Sequence, residues 1–229
     1  MEGNIPIILL VAVFMMALVL VLILYGFSFF SIMELEDYES WSDAIGYAIL
    51  ITFTLLMISF FQVEILSGEP TVSVNITGVV VPVGLSLYLL ATKKVRLVQA
   101  LLATAVVAVI SFPLVQMKGG FLTMEFPFWL LPAIVAAAFA YFLAKGDGMK
   151  KAALAYFSGS MGVFLGGDLM RLWSFPSLNE DRIFLGADGL LDFVFLMGVV
   201  AVAVLGIGYF LADRFRRAQS ERSRTTDLR

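Results

Sequence analysis

The chain has 229 residues, of which 61% are hydrophobic and 14% charged, with 15 basic and 18 acidic side chains and a net charge of −3. Globular domains run about 45–50% apolar and about 25% charged, so at a mean hydropathy of +0.97 the solvent for most of this chain is lipid. Cys and His are both absent, which excludes disulfides, thiolate nucleophiles, imidazole-held metals and any Ser-His or Cys-His pair within one chain. Chemistry is left to carboxylates, Lys, Arg, Tyr and hydroxyls, with no metal ligand set and no cofactor implied. The small net charge argues against nucleic acid as a partner.

A hydrocarbon core of about 30 Å takes about 20 helical residues, and apolar runs of that length lie at 5–32, 44–66, 71–92, 97–116, 121–144, 150–172 and 185–212. The first opens at Ile5-Pro6 with no base before it and stays apolar for too long to be a cleaved secretory segment, so it reads as a retained anchor. The expected fold is therefore all-α, a polytopic bundle of seven membrane spans. It forms one transmembrane domain over 1–213, followed by a basic tail at 214–229, in the cell membrane.

Basic residues are retained on the cytoplasmic side. Lys93, Lys94, Arg96, Lys145, Lys150, Lys151 and the tail bases Arg214, Arg216, Arg217, Arg222, Arg224 and Arg229 fall on one side, against Lys118, Arg171 and Arg182 on the other. Twelve against three places the N-terminus outside and the C-terminus in the cytoplasm. The loop from Glu34 to Asp43, with five acids and no base, sits awkwardly on the inner side, although acids weigh little in this rule.

With that orientation the polar residues of the spans gather near the outer face. Gln62 and Glu64 end the second span, Asn75 opens the third, Glu125 opens the fifth, Asp168 and Arg171 end the sixth, and Asp188 and Asp192 open the seventh. Interfacial carboxylates cost little, and that accounts for Glu64, Glu125 and Asp188. Asp168 and Asp192 lie about 5–10 Å inside the boundary, at matching depth on consecutive helices. Asp192 has apolar helix on both sides, where a carboxylate costs about 2.5–3.5 kcal/mol at the bilayer centre unless it faces protein or water.

Small residues accompany these acids. Gly159, Gly162 and Gly166 form a face that lets another backbone approach, and Gly166-Gly167 lead directly into Asp168. Phe164-Leu165-Gly166-Gly167-Asp168 is echoed by Phe184-Leu185-Gly186-Ala187-Asp188, a short repeated element or a coincidence. Asn75-Ile76-Thr77 forms a glycosylation sequon, but its depth favours hydrogen bonding across helices instead. Pro82, Pro113, Pro127 and Pro132 are expected to kink their spans. Asn75, Asp168 and Asp192 are expected to face one outward-opening cavity, with Pro82, Gly166, Gly167 and Arg171 around it and Glu125 and Asp188 at its rim.

Two resemblances follow from these residues. The succession Asn75, Gly78, Pro82, then Gly166 to Leu169, then 186–198 resembles a family of prokaryotic multi-span membrane proteins whose shared domain has no assigned function. That likeness covers roughly 70–205 and implies a fold without an activity. The segment Gly189-Leu190-Leu191-Asp192-Phe193-Val194-Phe195 is similar to the Gly-x-Gly-Asp segment of presenilin and signal peptide peptidase. There an Asp near the start of one helix pairs with an Asp near the end of the preceding one, and Asp168 holds the partner's position. The chain departs from that pattern at Leu191, which replaces the second Gly, and in having no Tyr before Asp168. The later Pro-Ala-Leu helix has no counterpart, and only Pro82, out of order, stands in for it.

Three functions stay open. In an aspartyl hydrolase acting on membrane-embedded peptides, Asp168 and Asp192 would divide the roles. Two carboxylates within about 3 Å cannot both ionise, so one holds a proton as general acid while the other activates water. Arg171, one helical turn after Asp168, would spoil that sharing by pairing with it. In a carrier or channel, Asn75, Asp168, Asp188 and Asp192 would form a site for a cation, a proton or a small solute, although the inner halves of the spans hold few ionisable residues. In a scaffold or sensor the polar cluster would be structural glue.

Overall fold

The computed structural model describes residue 50 and residues 53–67, 71–118, 121–125, 127–144, 148–173 and 182–227. The expected first span, and the first part of the second, lie outside them. The described chain is mostly helical: α1 (Val81–Ala91), α2 (Leu97–Leu114), α3 (Leu130–Leu143), α4 (Gly148–Val163), the short α5 (Met170–Trp173) and α6 (Phe193–Asp227). A π-helical turn, Ile76–Val80, leads into α1, and a π-helical stretch, Phe164–Leu169, joins α4 to α5.

An all-α architecture is not what forms. Five short strands, β1 (Gln62–Leu66), β2 (Thr71–Asn75), β3 (Val115–Lys118), β4 (Phe121–Met124) and β5 (Arg182–Leu185), make one mixed sheet in the order β1-β2-β5-β4-β3. The β1–β2 and β3–β4 pairs are antiparallel, while β5 lies parallel to β2 and β4. β1, β2 and β4 occupy the ends of apolar runs expected to be helical throughout, β3 straddles the end of a fourth, and β5 lies in the connection expected before the seventh. The reason is local: Thr71-Val72-Ser73-Val74 and Gln62-Val63-Glu64-Ile65 alternate polar and apolar residues, the period of a strand. Lys118 pairs with Phe121 across the sequence Gly119-Gly120, a two-residue hairpin signal.

The strands all lie at one end of the bundle. β2 precedes α1, β3 follows α2, β4 precedes α3 and β5 precedes α6, whereas α1–α2 and α3–α4 are joined at the opposite end. Three strand residues, Val74, Ile183 and Leu185, and Val79 of the π-helical turn are buried in a small core of their own. The main core runs along the helices, and α4 is its axis: Ala152 to Ser160 are all buried, and α4 packs on α1, α2, α3 and α6.

Small residues lie inside and large ones outside. Ala103, Ala133, Ala136 and Ala140 are fully buried, whereas Val98, Val109, Phe142 and Phe215 are at least two-thirds exposed. Helices α2 and, over Phe193–Arg217, α6 are long and apolar enough to cross a membrane, and Ile76–Ala91 and Leu130–Leu143 are shorter apolar helices.

The prolines do less bending than expected. Pro82 stands at the start of α1 and Pro132 in the first turn of α3, where the lost N–H is cheap. Pro127 lies in the turn before α3, and Pro113 is inside α2 but one residue from its end.

Candidate functional site: buried carboxyl groups beneath the sheet

Asn75 is the last residue of β2 and the cap of the helix that follows. Its Oδ1 accepts from the backbone N–H groups of Thr77 (2.9 Å) and Gly78 (3.0 Å) and from Thr77 Oγ1 (2.9 Å), while its Nδ2 donates to the Ser59 carbonyl (2.7 Å). The buried amide thus turns a strand into a helix, satisfies helix N–H groups that otherwise lack partners and ties both to residue 59. Behind it, a side chain on Gly78 would run into the backbone of Gly186, so the β2–α1 and β5–α6 junctions approach backbone to backbone.

The expected glycine face of α4 is used for close packing. A Cβ on Gly159 would lie 2.8 Å from the Met197 carbonyl, one on Gly162 would strike Val107, and one on Gly166 would strike the Ala108 carbonyl. Gly166 and Gly167 lie in the π-helical stretch, and Asp168 follows within it. The wider turn re-aims the side chains that follow, which is why such bulges recur at functional sites. The matching sequence Phe184 to Asp188 adopts a strand end and a turn with Gly186 at φ 68°, so the echo is not a structural repeat.

Asp168 and Asp192 are both buried, at 5% and 7% exposure. Asp192 follows a 3-10 turn, Gly189–Leu191, whose Gly189 has φ 60°. A Cβ there would strike the Ser59 hydroxyl, so residue 59 closes over this junction as well. Asp192 Oδ1 accepts from the Val194 N–H at 3.0 Å, and the Asp192 carbonyl accepts from the Leu196 N–H at 2.8 Å. Asp192 is therefore the N-cap of α6.

Asp168 Oδ2 is buried and makes no hydrogen bond. The two carboxyl groups act on each other electrostatically, and Asp188, exposed on the preceding turn, acts on Asp192 in the same way. Sequence separation had linked these residues by depth alone, and the fold brings them within charge–charge range. Glu125 is exposed beyond the end of β4. Pro82 is buried at the start of α1, serving that helix. Arg171 lies in α5, but its side chain, and with it the alternative of pairing with Asp168, is outside the described residues. Among the described residues, no three acids gather as a metal site.

Sequence reading passed over four hydroxyls. Ser86 on α1, Thr104 on α2 and Tyr156 and Ser160 on α4 are buried with side-chain oxygens lacking a hydrogen bond. Tyr156 and Ser160 are neighbours one turn apart without reaching hydrogen-bonding geometry. The available signal was a polar atom every few residues on otherwise apolar helices. Each such group, left dry, costs about 1–3 kcal/mol.

A search of curated proteins and a search of solved structures both gave no match. A family described as "Protein of unknown function (DUF1614)" matches residues 30–204, a stretch that contains the whole sheet, Asp168, Asp192, helices α1–α5 and the first part of α6. This chain belongs to that family.

Proposed function

We propose that the chain is a multi-pass protein of the cell membrane, and that Asp168 and Asp192 form a site that takes up and releases a proton in the course of transport. The observation that carries this reading is the buried, unbonded Oδ2 of Asp168 within charge range of a second buried carboxyl group. Such a pair shares a proton more readily than it holds two charges. In a membrane, buried acids of this kind belong to ion pathways and proton relays.

The hydroxyls of Ser160, Tyr156, Thr104 and Ser86 support a route onward. Ser160 lies eight residues before Asp168, about 12 Å along the helix, and the others lie further towards the opposite end. Buried hydroxyls are best satisfied by internal water, and hydroxyls joined by water pass protons. This answers the objection that the inner halves of the spans hold few ionisable groups, because a proton path needs none.

The test is proton flux into liposomes containing the purified chain and a pH-sensitive dye. Wild type should exceed empty liposomes, and Asp168→Asn and Asp192→Asn should each fall to background. The wild-type rate should vary with pH according to constants that belong to the pair rather than to either residue. Flux equal to that of empty liposomes, or unchanged in both variants, overturns the reading.

The second reading, an aspartyl-type hydrolase of membrane-embedded peptides, is favoured by the same pairing of acids on successive helices and by the likeness around Gly189 to Asp192. Against it, Asp192 already commits one oxygen to its helix cap. Cleavage of a membrane-embedded peptide by wild type, abolished by either Asn variant, would select this reading over transport.

A further inference from the structure

At the end of the bundle opposite the sheet, a cavity of about 180 Å³ is lined by Lys93, Lys94, Val95, Arg96, Gln99, Ala144, Lys150 and Leu154. We propose that this cavity binds a phosphate group, presented either by an anionic phospholipid or by a soluble phosphate. The proposal is independent of the carboxyl pair and of what that pair does.

The charge pattern is the first argument. Four of the eight lining residues are cations, and none is acidic. Basic loops on one side of a membrane protein follow from topology alone, but topology asks only for bases on that side, not for their convergence on a concave site. Basic pockets between helices at the cytoplasmic face are the form that lipid phosphate sites take.

The second argument comes from the helices. Arg96 is the N-cap residue of α2 and supplies no side-chain cap, so N–H groups of the first turn point outward without one. Lys150 is the third residue of α4. Both cations thus stand at the positive ends of helices, where the dipole disfavours them. Two helix starts and four bases set a positive potential in one space, and an anion that enters is attracted by all of them.

Lys93 adds a backbone argument. It has φ 58°, the only non-glycine residue with positive φ among those described. That conformation costs an L-residue about 1–2 kcal/mol, which Gly would relieve. A lysine held there despite the cost points to work for its side chain. The walls are built as well: Gln99 Nε2 donates to the Leu143 carbonyl at 2.6 Å, tying the start of α2 to the end of α3, and Val95 and Leu154 are buried.

The location fits headgroup depth. At the same end, the Lys151 ammonium lies 4.6 Å from the Tyr141 ring centre and 5.5 Å from that of Tyr209, and Arg214 stacks 5.2 Å from Phe210. Aromatic rings beside bases mark the boundary between hydrocarbon and water.

The experiment uses the full chain in two arms. In nanodiscs of phosphatidylcholine with added phosphatidylglycerol, native mass spectrometry should find phosphatidylglycerol retained after release from the disc. In neutral detergent, inorganic phosphate is titrated against thermal stability. Arg96→Gln and Lys150→Gln should each weaken whichever ligand binds by about tenfold or more, the loss expected for one charged hydrogen bond. Arg96→Lys should restore part of the affinity, and Arg214→Gln, outside the cavity, should change nothing. Retention of lipid without a response to phosphate identifies a lipid site, and the reverse identifies a soluble ligand. Binding in neither arm, or equal weakening by Arg214→Gln, overturns the proposal.

Discussion

Two buried polar residues at the sheet end do structural work that also places the acids. Asn75 caps the helix after β2, and Asp192 caps α6 with Oδ1, while its carboxyl group acts electrostatically on Asp168. An N-cap acid replaced by Ala costs about 0.5–2 kcal/mol, whereas Asn caps about as well as Asp. Asp192→Ala should therefore lower the unfolding free energy by about 1 kcal/mol through the lost cap alone, and Asp192→Asn should not, as read by thermal or denaturant unfolding in detergent. Loss of flux in Asp192→Asn at unchanged stability would then report the carboxyl group and not the helix. If Ala and Asn are equally destabilising, the capping account fails. Asp192 stood out in the sequence for its apolar flanks and is buried, but its capping bond was not legible, because it depends on the chain leaving β5 through Gly186 and Gly189 at positive φ.

At the scale of elements, apolar run length identified α2 and the α4–α5 segment closely: runs at 97–116 and 150–172 became Leu97–Leu114 and Gly148–Trp173. Of the other runs, 44–66, 71–92, 121–144 and 185–212 change conformation part-way within the described residues. Counting apolar residues cannot separate a helix from a helix plus a strand, since both bury the same residue types. What separates them is period, and Thr71 to Val74 carries period two. The parallel β2–β5 register pairs Ser73 with Phe184, residues more than a hundred positions apart. Cysteines at 73 and 184 should cross-link under mild oxidation on this cysteine-free background. A pairing slipped by one residue puts the two side chains on opposite faces, so efficient linking of 73 to 185 instead would disprove the register.

For the molecule as a whole, inverted packing is the main physical fact. Alanine and glycine on α2, α3 and α4 bring backbones together, and the bulky side chains of α2, α3 and α6 face outward. In water such a surface would aggregate. In lipid it costs nothing, and the helices gain from close van der Waals contact. The charges are unevenly placed as well, with Lys93, Lys94, Arg96 and Lys150 around the far cavity and Asp168, Asp188 and Asp192 towards the sheet end. Cysteine introduced at Glu125 should therefore label from outside intact cells, and cysteine at Arg214 or Asp147 only after permeabilisation. Labelling of residue 147 from the outer side would reverse the topology.

The amino-acid sequence by itself determined the apolar composition, the positions of the apolar segments, the distribution of bases and the short list of acids with apolar neighbours. These are properties of composition and spacing, and each residue carries them wherever the chain goes. The tertiary structure decided which residues meet: Asn75 with Ser59, Gly166 with Ala108, and the bases of two separate turns around one cavity, and it set Asp168 within the electrostatic reach of Asp192. The sheet is the physical reason for much of this. Its hydrogen bonds join strands from three separate stretches of the chain, 62–75, 115–124 and 182–185, and in joining them they hold the turn that leads into α6 at the sheet end, where Asp168 and Asp192 are both buried.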